Sequence, residues 1–322
     1  MKSRTTTNTT NVVLPSWVAR SVTGLMTTIT IAGAGFSALV MTTKAEEAPA
    51  TNGLVETLSP SGQSNVTIHE TLGELEKSPE KQITFPGVKS LFEGRFDLYR
   101  EDDGQFVRRI VVPKKAAPGK PWVWRARFWR HAPEFDLAML EEGYHVVYCD
   151  VIGLLGNPKA VRRWNAYYQL LVEKYGFAKK PVLEGMSRGG MIVYNWAIAN
   201  PDKVAAIYGD APVMHVGSWP GFGSRLLERS YGFKSQEELA AWKGNPIDNL
   251  KPLADAKIPI IHVVGDRDKV VPVSENTAIA QKRYQEMGGV FEVIHKKDAG
   301  HQHGLKDPTP IVEFIRKNCG VK

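Results

Sequence analysis

The sequence is poor in cysteine and has no clustered metal-binding spacing. Only Cys149 and Cys319 occur among 322 residues, with no C-x-x-C pair and no close group of histidines and cysteines. Neither a disulfide framework nor a structural zinc site is indicated. We expect a fold that needs no metal and no cofactor.

Acidic residues are absent from the first 45 positions, although the chain contains 34 of them. The same segment holds four of the 41 lysines and arginines, so the remainder carries 37 basic and 34 acidic residues. The formal net charge of +7 therefore overstates the charge of the rest of the chain. A nearly balanced charge argues against nucleic acid as a partner.

The N-terminal segment, residues 1–45, has the pattern of a signal peptide or a membrane anchor. Basic residues at Lys2, Arg4 and Arg20 precede an apolar run from Val22 to Met41, and Thr43-Lys44-Ala45 is typical of a cleavage site. The run is near the length that spans a bilayer. We expect export to the periplasm or the medium, with membrane contact only if the segment is retained.

The rest of the chain divides into a linker and a catalytic domain. Residues 46–81 are rich in Pro, Ser, Thr and Glu and lack periodicity, which is typical of a flexible linker. In residues 82–322, a short antiparallel start is followed by apolar strands that alternate with helices. This pattern predicts a mostly parallel sheet covered by helices on both faces, with functional residues at the carboxyl ends of its strands. Residues 211–250 break the rhythm and are predicted to form a small lid insertion.

A strand, a sharp turn and a helix surround Ser187. The apolar stretch from Pro181 runs into the G-x-S-x-G sequence Gly185–Gly189, and an amphipathic segment, Met191 to Asn200, follows at once. Such a turn holds the serine in a strained conformation and exposes its hydroxyl at the positive end of the helix. The alternative is an ordinary tight turn without catalytic meaning.

An acid and a histidine follow in the order that a serine hydrolase requires. Asp268 lies just past the apolar strand Ile260–Val264, and His301 lies just past the last predicted strand. Asp210 also follows a strand and is the alternative acid, whereas Asp266 could cap the loop or bind Arg267.

With these motifs, the chain from about Ile83 onward resembles the α/β-hydrolase superfamily, particularly the bacterial exported serine esterases. The family's acid precedes Val-Pro by a short spacer, as Asp268 does, and its histidine follows a glycine, as His301 does. The resemblance implies an α/β-hydrolase fold and a Ser187–His301–Asp268 triad acting through an acyl-enzyme. The family's usual His-Gly oxyanion motif is absent, and Arg125-Ala126-Arg127-Phe128 stands in its place.

In this interpretation, His301 takes the proton from Ser187 and later gives it to the leaving group, while Asp268 fixes the tautomer of the imidazole. An oxyanion hole needs two preorganised donors. The candidates are the backbone N–H of Arg188 and that of Arg127 or Phe128.

Four further side chains are candidate substrate contacts: Arg125, Trp129, Trp219 and His303. A guanidinium suits a substrate carboxylate, and an aromatic face suits a sugar ring, so we expect a small-molecule or oligosaccharide ester, with carbohydrate esters favoured. The competing interpretation is structural, with an arginine in a salt bridge and tryptophans in the core. The oligomeric state is not indicated by the sequence.

Two alternative functions remain open at this stage. One is a peptidase of the prolyl oligopeptidase type, although the propeller domain usual there is missing from the sequence and only a linker precedes the fold. The other is a non-catalytic binding protein on the same fold.

Overall fold

A computed structural model describes residues 84–104 and 106–320, which contain a single nine-stranded sheet. The predicted export segment and linker lie outside these residues. The sheet order is β1-β2-β3-β5-β4-β6-β7-β8-β9. The strands are β1 Val88–Phe92, β2 Phe96–Asp102, β3 Val107–Val112, β4 Trp122–Arg125, β5 His145–Cys149, β6 Val182–Met186, β7 Ala206–Asp210, β8 Ile260–Gly265 and β9 Phe291–Lys296.

Antiparallel pairing is confined to one side of the sheet. Strands β1, β2, β3 and β5 pair antiparallel in that order, whereas all pairs from β5 through β4 to β9 are parallel. The mostly parallel sheet predicted from the sequence is therefore confirmed. Strand β1 was not predicted, because four of its five residues are exposed and give no alternating pattern.

The described residues form eight α-helices. They are α1 Glu134–Glu141, α2 Pro158–Gln169, α3 Gly189–Ala199, α4 Arg225–Tyr231, α5 Gln236–Ala241, α6 Lys251–Asp255, α7 Thr277–Glu286 and α8 Thr309–Cys319. Of these, α4 and α5 lie in the lid region. A π-helical stretch, Leu170–Lys174, continues α2. Among the described residues, no helix has both the length and the hydropathy needed to cross a bilayer.

The two faces of the sheet bury separate apolar clusters, and strand β4 contributes to both. Trp122 and Trp124 point to the face covered by α2 and α3, where Trp124 stacks on Trp164 with ring centroids 4.0 Å apart. Val123 points to the other face, which α1 and α8 cover. This alternation follows from the two-residue period of a strand. Arg125, two residues after Val123, must therefore lie beneath the second face.

The predicted lid region contains α4 and α5, which pack in a third apolar cluster. Its members include Leu227 and Leu239 from these helices, Leu155 from the loop after β5, and Val271 from the loop after β8. The insertion therefore lies against loops that leave the carboxyl ends of the strands. Helix α4 was not predicted, because its seven residues are too few to show a helical period.

His262 is a buried neutral side chain in the middle of β8. It is fully buried, with Nε2 2.7 Å from the Tyr194 hydroxyl and Nδ1 3.0 Å from the Thr277 hydroxyl. Burial lowers the pKa of His262 to about 3. The folded protein therefore leaves this site unprotonated at a pH where the unfolded chain binds a proton.

We predict that the free energy of unfolding falls as the pH drops below about 6.5, the ordinary histidine pKa. While the unfolded chain is protonated at His262 and the folded protein is not, each pH unit costs up to about 1.4 kcal/mol. His262→Gln should reduce this slope, measured by urea unfolding between about pH 7 and pH 5. Tyr194→Phe keeps the histidine and should keep the slope. An unchanged slope in His262→Gln would show that another group carries the titration.

Candidate active site

Ser187 occupies a strained turn between β6 and α3. Its φ of +49° lies in the left-handed region, which costs a non-glycine residue on the order of 1 kcal/mol or more. Two backbone hydrogen bonds hold the turn, from Ser187 N–H to the Asp210 carbonyl at 2.8 Å and from Val213 N–H to the Ser187 carbonyl at 2.9 Å. A Cβ at Gly185 would lie 2.5 Å from Val193 Cγ2, so only glycine lets the helix start this close to the strand.

The structure brings Ser187, His301 and Asp268 into one hydrogen-bonded chain. Ser187 Oγ lies 2.9 Å from His301 Nε2, and His301 Nδ1 lies 2.6 Å from Asp268 Oδ2. The carboxylate accepts the Nδ1 proton, which leaves Nε2 free to accept the serine proton. Asp268 Oδ1 also accepts backbone N–H bonds from Val270 at 2.8 Å and from Val271 at 2.9 Å. The acid is therefore fixed by its own loop.

Asp266 and the alternative acid Asp210 make other contacts. Asp266 lies 2.7 Å from His295 Nδ1 on β9. Asp210 Oδ2 accepts the backbone N–H of Gly304 at 2.6 Å, and Asp210 Oδ1 lies 3.5 Å from His303 Nδ1. Asp210 thus holds the loop that carries the histidine, whereas Asp268 contacts the histidine itself.

We predict that Asp268→Asn lowers kcat by about 10,000-fold, the size found for a triad acid that sets the histidine tautomer. Asp210→Asn should cost far less, since its amide oxygen still accepts the Gly304 N–H. Steady-state kinetics on one activated ester would rank the two variants, with circular dichroism as the folding control. A larger loss in Asp210→Asn would assign the triad acid to β7.

The segment after β4 passes beside the start of α3 and has an irregular backbone. Phe128, Arg130 and Ala132 all have positive φ angles, of +52°, +67° and +47°. A Cβ at Gly189 would lie 3.2 Å from Arg127 Cβ and 3.8 Å from Arg127 N. The Arg127 amide is thus near Gly189, the first residue of α3, which directly follows Arg188. Arg127, Phe128 and Arg188 remain the candidate oxyanion donors.

Arg125 does not lie in a substrate pocket, and this corrects the prediction from the sequence. Its side chain is 1% exposed, and all five of its N–H donors are used within the protein. NH1 contacts Asp136 at 2.5 Å and Glu184 at 3.0 Å. The other donors bond the carbonyls of Arg127, Phe128 and His131. Arg125 therefore fixes the loop that carries the candidate oxyanion donors.

The Arg125 network contains two carboxyl groups but one guanidinium. Burial raises the pKa of Glu184 well above its usual range, and the neighbouring acids Asp136 and Asp210 raise it further, although Arg125 opposes them. Asp136 Oδ1 and Glu184 Oε2 are buried without a hydrogen-bond partner, so each carboxyl contacts Arg125 through its other oxygen. The raised pKa of Glu184 favours its neutral form, which lessens the excess of negative charge beside one buried guanidinium.

We predict that Arg125→Lys lowers kcat at least about tenfold with little change in KM, because an ammonium has too few donors to hold the loop. The measurement is steady-state kinetics well below the unfolding temperature. Arg283→Lys is the matched control, since Arg283 also bonds a carbonyl, of Ile247, and a carboxylate, Asp248. A kcat that is unchanged in Arg125→Lys would show that Arg125 only stabilises the fold.

The two tryptophans that the sequence offered as substrate contacts pack against the protein. Trp129 lies 5.3 Å from Phe92 and 5.5 Å from Tyr148 between ring centroids, beside the second face of the sheet. Trp219 packs on the apolar cluster of the lid. Their partly buried positions favour the structural interpretation, because the apolar rings complete these clusters.

His303 lies behind the triad histidine. Its ring is 4.6 Å from that of His301 at an interplanar angle of 80°, and 6.1 Å from that of Phe128 at 26°. Asp210 Oδ1 also lies 3.5 Å from His303 Nδ1. His303 therefore contacts both the loop that carries His301 and the loop after β4 that carries Phe128.

Two residues of the site were missed by sequence reasoning, namely Asp136 and Glu184. Glu184 was recognisable in principle, because it is the one charged residue in the otherwise apolar strand β6. Within residues 84–104 and 106–320, no group of three or more histidine, cysteine, aspartate or glutamate side chains is placed to hold a metal ion.

Comparisons with known proteins agree with this geometry. A model of the prolyl oligopeptidase family matches residues 162–320, which include all three members of the candidate triad. No curated protein matches the chain.

Two similar solved structures are peptidases of 15% and 16% sequence identity. An acylaminoacyl peptidase from Pyrococcus horikoshii has a TM-score of 0.54, with 69% of this chain and 42% of that chain covered. A Mycobacterium tuberculosis puromycin-hydrolyzing peptidase has a TM-score of 0.55, with 67% and 38% covered. This chain thus spans about two fifths of their length. The α/β-hydrolase fold expected from the sequence is confirmed.

Proposed function

We propose that this chain, a serine hydrolase of the α/β-hydrolase superfamily, cleaves amide bonds of short peptides or aminoacyl compounds through an acyl-enzyme. The observation that carries the proposal is the continuous hydrogen-bonded chain from Ser187 through His301 to Asp268. The family match over these residues and the peptidase neighbours support an amide rather than a carbohydrate ester as the substrate. The proposal concerns the activity of this chain alone, because the match covers only 42% and 38% of the two neighbouring chains.

The first half of the reaction acylates the serine. His301 Nε2 removes the Ser187 proton as Oγ attacks the carbonyl carbon, and the backbone N–H groups of Arg188 and of Arg127 or Phe128 stabilise the oxyanion. The imidazolium then protonates the leaving amine, so that the C–N bond breaks. Asp268 stabilises the imidazolium without taking its proton.

The second half of the reaction hydrolyses the acyl-enzyme and restores the free serine. Water gives a proton to His301 and attacks the acyl carbon, and Ser187 Oγ leaves with that proton. Carboxylic esters follow the same steps with an alcohol as leaving group, and are therefore a second substrate class.

A carbohydrate ester is not favoured as the substrate, because Arg125, Trp129 and Trp219, which were expected to bind it, pack within the protein. Export by residues 1–45 remains part of the proposal and depends on the sequence alone.

We predict that the wild type hydrolyses aminoacyl p-nitroanilides and the matched p-nitrophenyl esters, the esters with a burst of p-nitrophenol. Ser187→Ala should fold normally but lose turnover on both by at least about 1,000-fold, because no other nucleophile is aligned.

A fluorophosphonate probe should label the wild type and leave Ser187→Ala unlabelled. Ester turnover without any amide turnover would replace the peptidase proposal by an esterase. If the wild type took no label and showed no turnover, it would be a binding protein on this fold.

A further inference from the structure

We propose that the side chains of Arg127 and Arg188 form a subsite for a carboxylate of the substrate, beside the scissile bond. The inference depends on the proposed function, because the subsite belongs to the same active site. It differs from the oxyanion assignment, which involves only the backbone amides of these residues.

Both guanidinium groups lie over the ring of Phe128. The guanidinium carbon of Arg127 lies 4.9 Å from the centre of this ring, and that of Arg188 lies 5.5 Å from it. Arg188 directly follows Ser187, and Arg127 belongs to the loop beside the start of α3. Because Arg188 is the residue after the nucleophile, we infer that a group bound by these guanidiniums lies near the serine hydroxyl.

Neither guanidinium is neutralised by the part of the chain that the structure describes. Arg127 Nε is buried without a hydrogen-bond partner. Arg188 is half-buried, and burial, together with the like charge of Arg127, lowers its pKa with no carboxylate opposing the shift. Arg125 and Arg130, which flank Arg127 in the segment after β4, are instead paired with Asp136 and Glu93.

Two partly desolvated like charges without a counter-ion raise the free energy of the empty site. A planar carboxylate relieves this cost and matches the donor geometry of a guanidinium. Two acidic side chains of the site are committed elsewhere, Asp268 to His301, and Asp210 to Gly304 with His303 close by. We infer that the negative charge that pairs with the two arginines comes from the bound molecule. An acidic side chain or a free α-carboxylate of a short peptide supplies it.

The test compares substrates that differ only in charge. The pairs are p-nitroanilides with Glu or Gln at the residue that supplies the scissile carbonyl, dipeptides with a free or an amidated C-terminus, and p-nitrophenyl hydrogen succinate against its methyl ester. We expect the charged member of at least one pair to have about tenfold higher kcat/KM, mainly because its KM is lower. One charge-assisted hydrogen bond to the substrate provides an effect of this size.

Arg127→Gln and Arg188→Gln should each lower kcat/KM for the charged substrate about tenfold more than for its neutral partner. Arg130→Gln is the matched control from the same loop, and it should keep the preference because Arg130 is exposed and paired with Glu93. Equal losses on both members of a pair would mean that the arginines stabilise the oxyanion or the fold, and would overturn the subsite.

Failure of this inference is distinguishable from failure of the proposed function. Ser187-dependent turnover of the neutral substrates with no charge preference in any pair would overturn the subsite alone. No Ser187-dependent turnover of any substrate would overturn the proposed function, and the subsite with it.

Discussion

The buried guanidinium of Arg125 is the interaction on which the geometry of the site depends. It joins β4, which carries it, to α1 through Asp136, to β6 through Glu184 and to the loop of Phe128 through backbone carbonyls. Strand β6 ends in the nucleophile, and the loop carries a candidate oxyanion donor. One side chain therefore sets the distance between the attacking atom and the group that stabilises the product of the attack.

This arrangement has an energetic cost that the protein offsets locally. A guanidinium taken out of water loses several kcal/mol of hydration, which a single ion pair seldom repays. Five satisfied donors reduce the penalty, and the raised pKa of Glu184 favours a single negative charge beside the guanidinium. A rigid network of this kind is more useful for positioning than for stability.

The arginines around the site lie in two layers, one buried beneath the loop after β4 and one beside the ring of Phe128. In the inner layer, Arg125 is neutralised by protein carboxylates beneath the loop. In the outer layer, Arg127 and Arg188 lie on the ring of Phe128 without such partners. The two-residue period of β4 sends Arg125 beneath the sheet face, and the irregular backbone after it brings Arg127 toward the nucleophile. Arginines two positions apart in the chain thus have different environments and different proposed roles.

The sequence by itself determined most of the strands after β1, the turn around Ser187 and the acid and histidine past later strands, because period, glycine and turn chemistry are local. Only the tertiary structure decided that Asp268 rather than Asp210 contacts His301, that Arg125 is buried and that Trp129 packs on Phe92. These outcomes depend on side chains that lie far apart in the chain, and alternation along one strand does not specify which residues of other elements contact it.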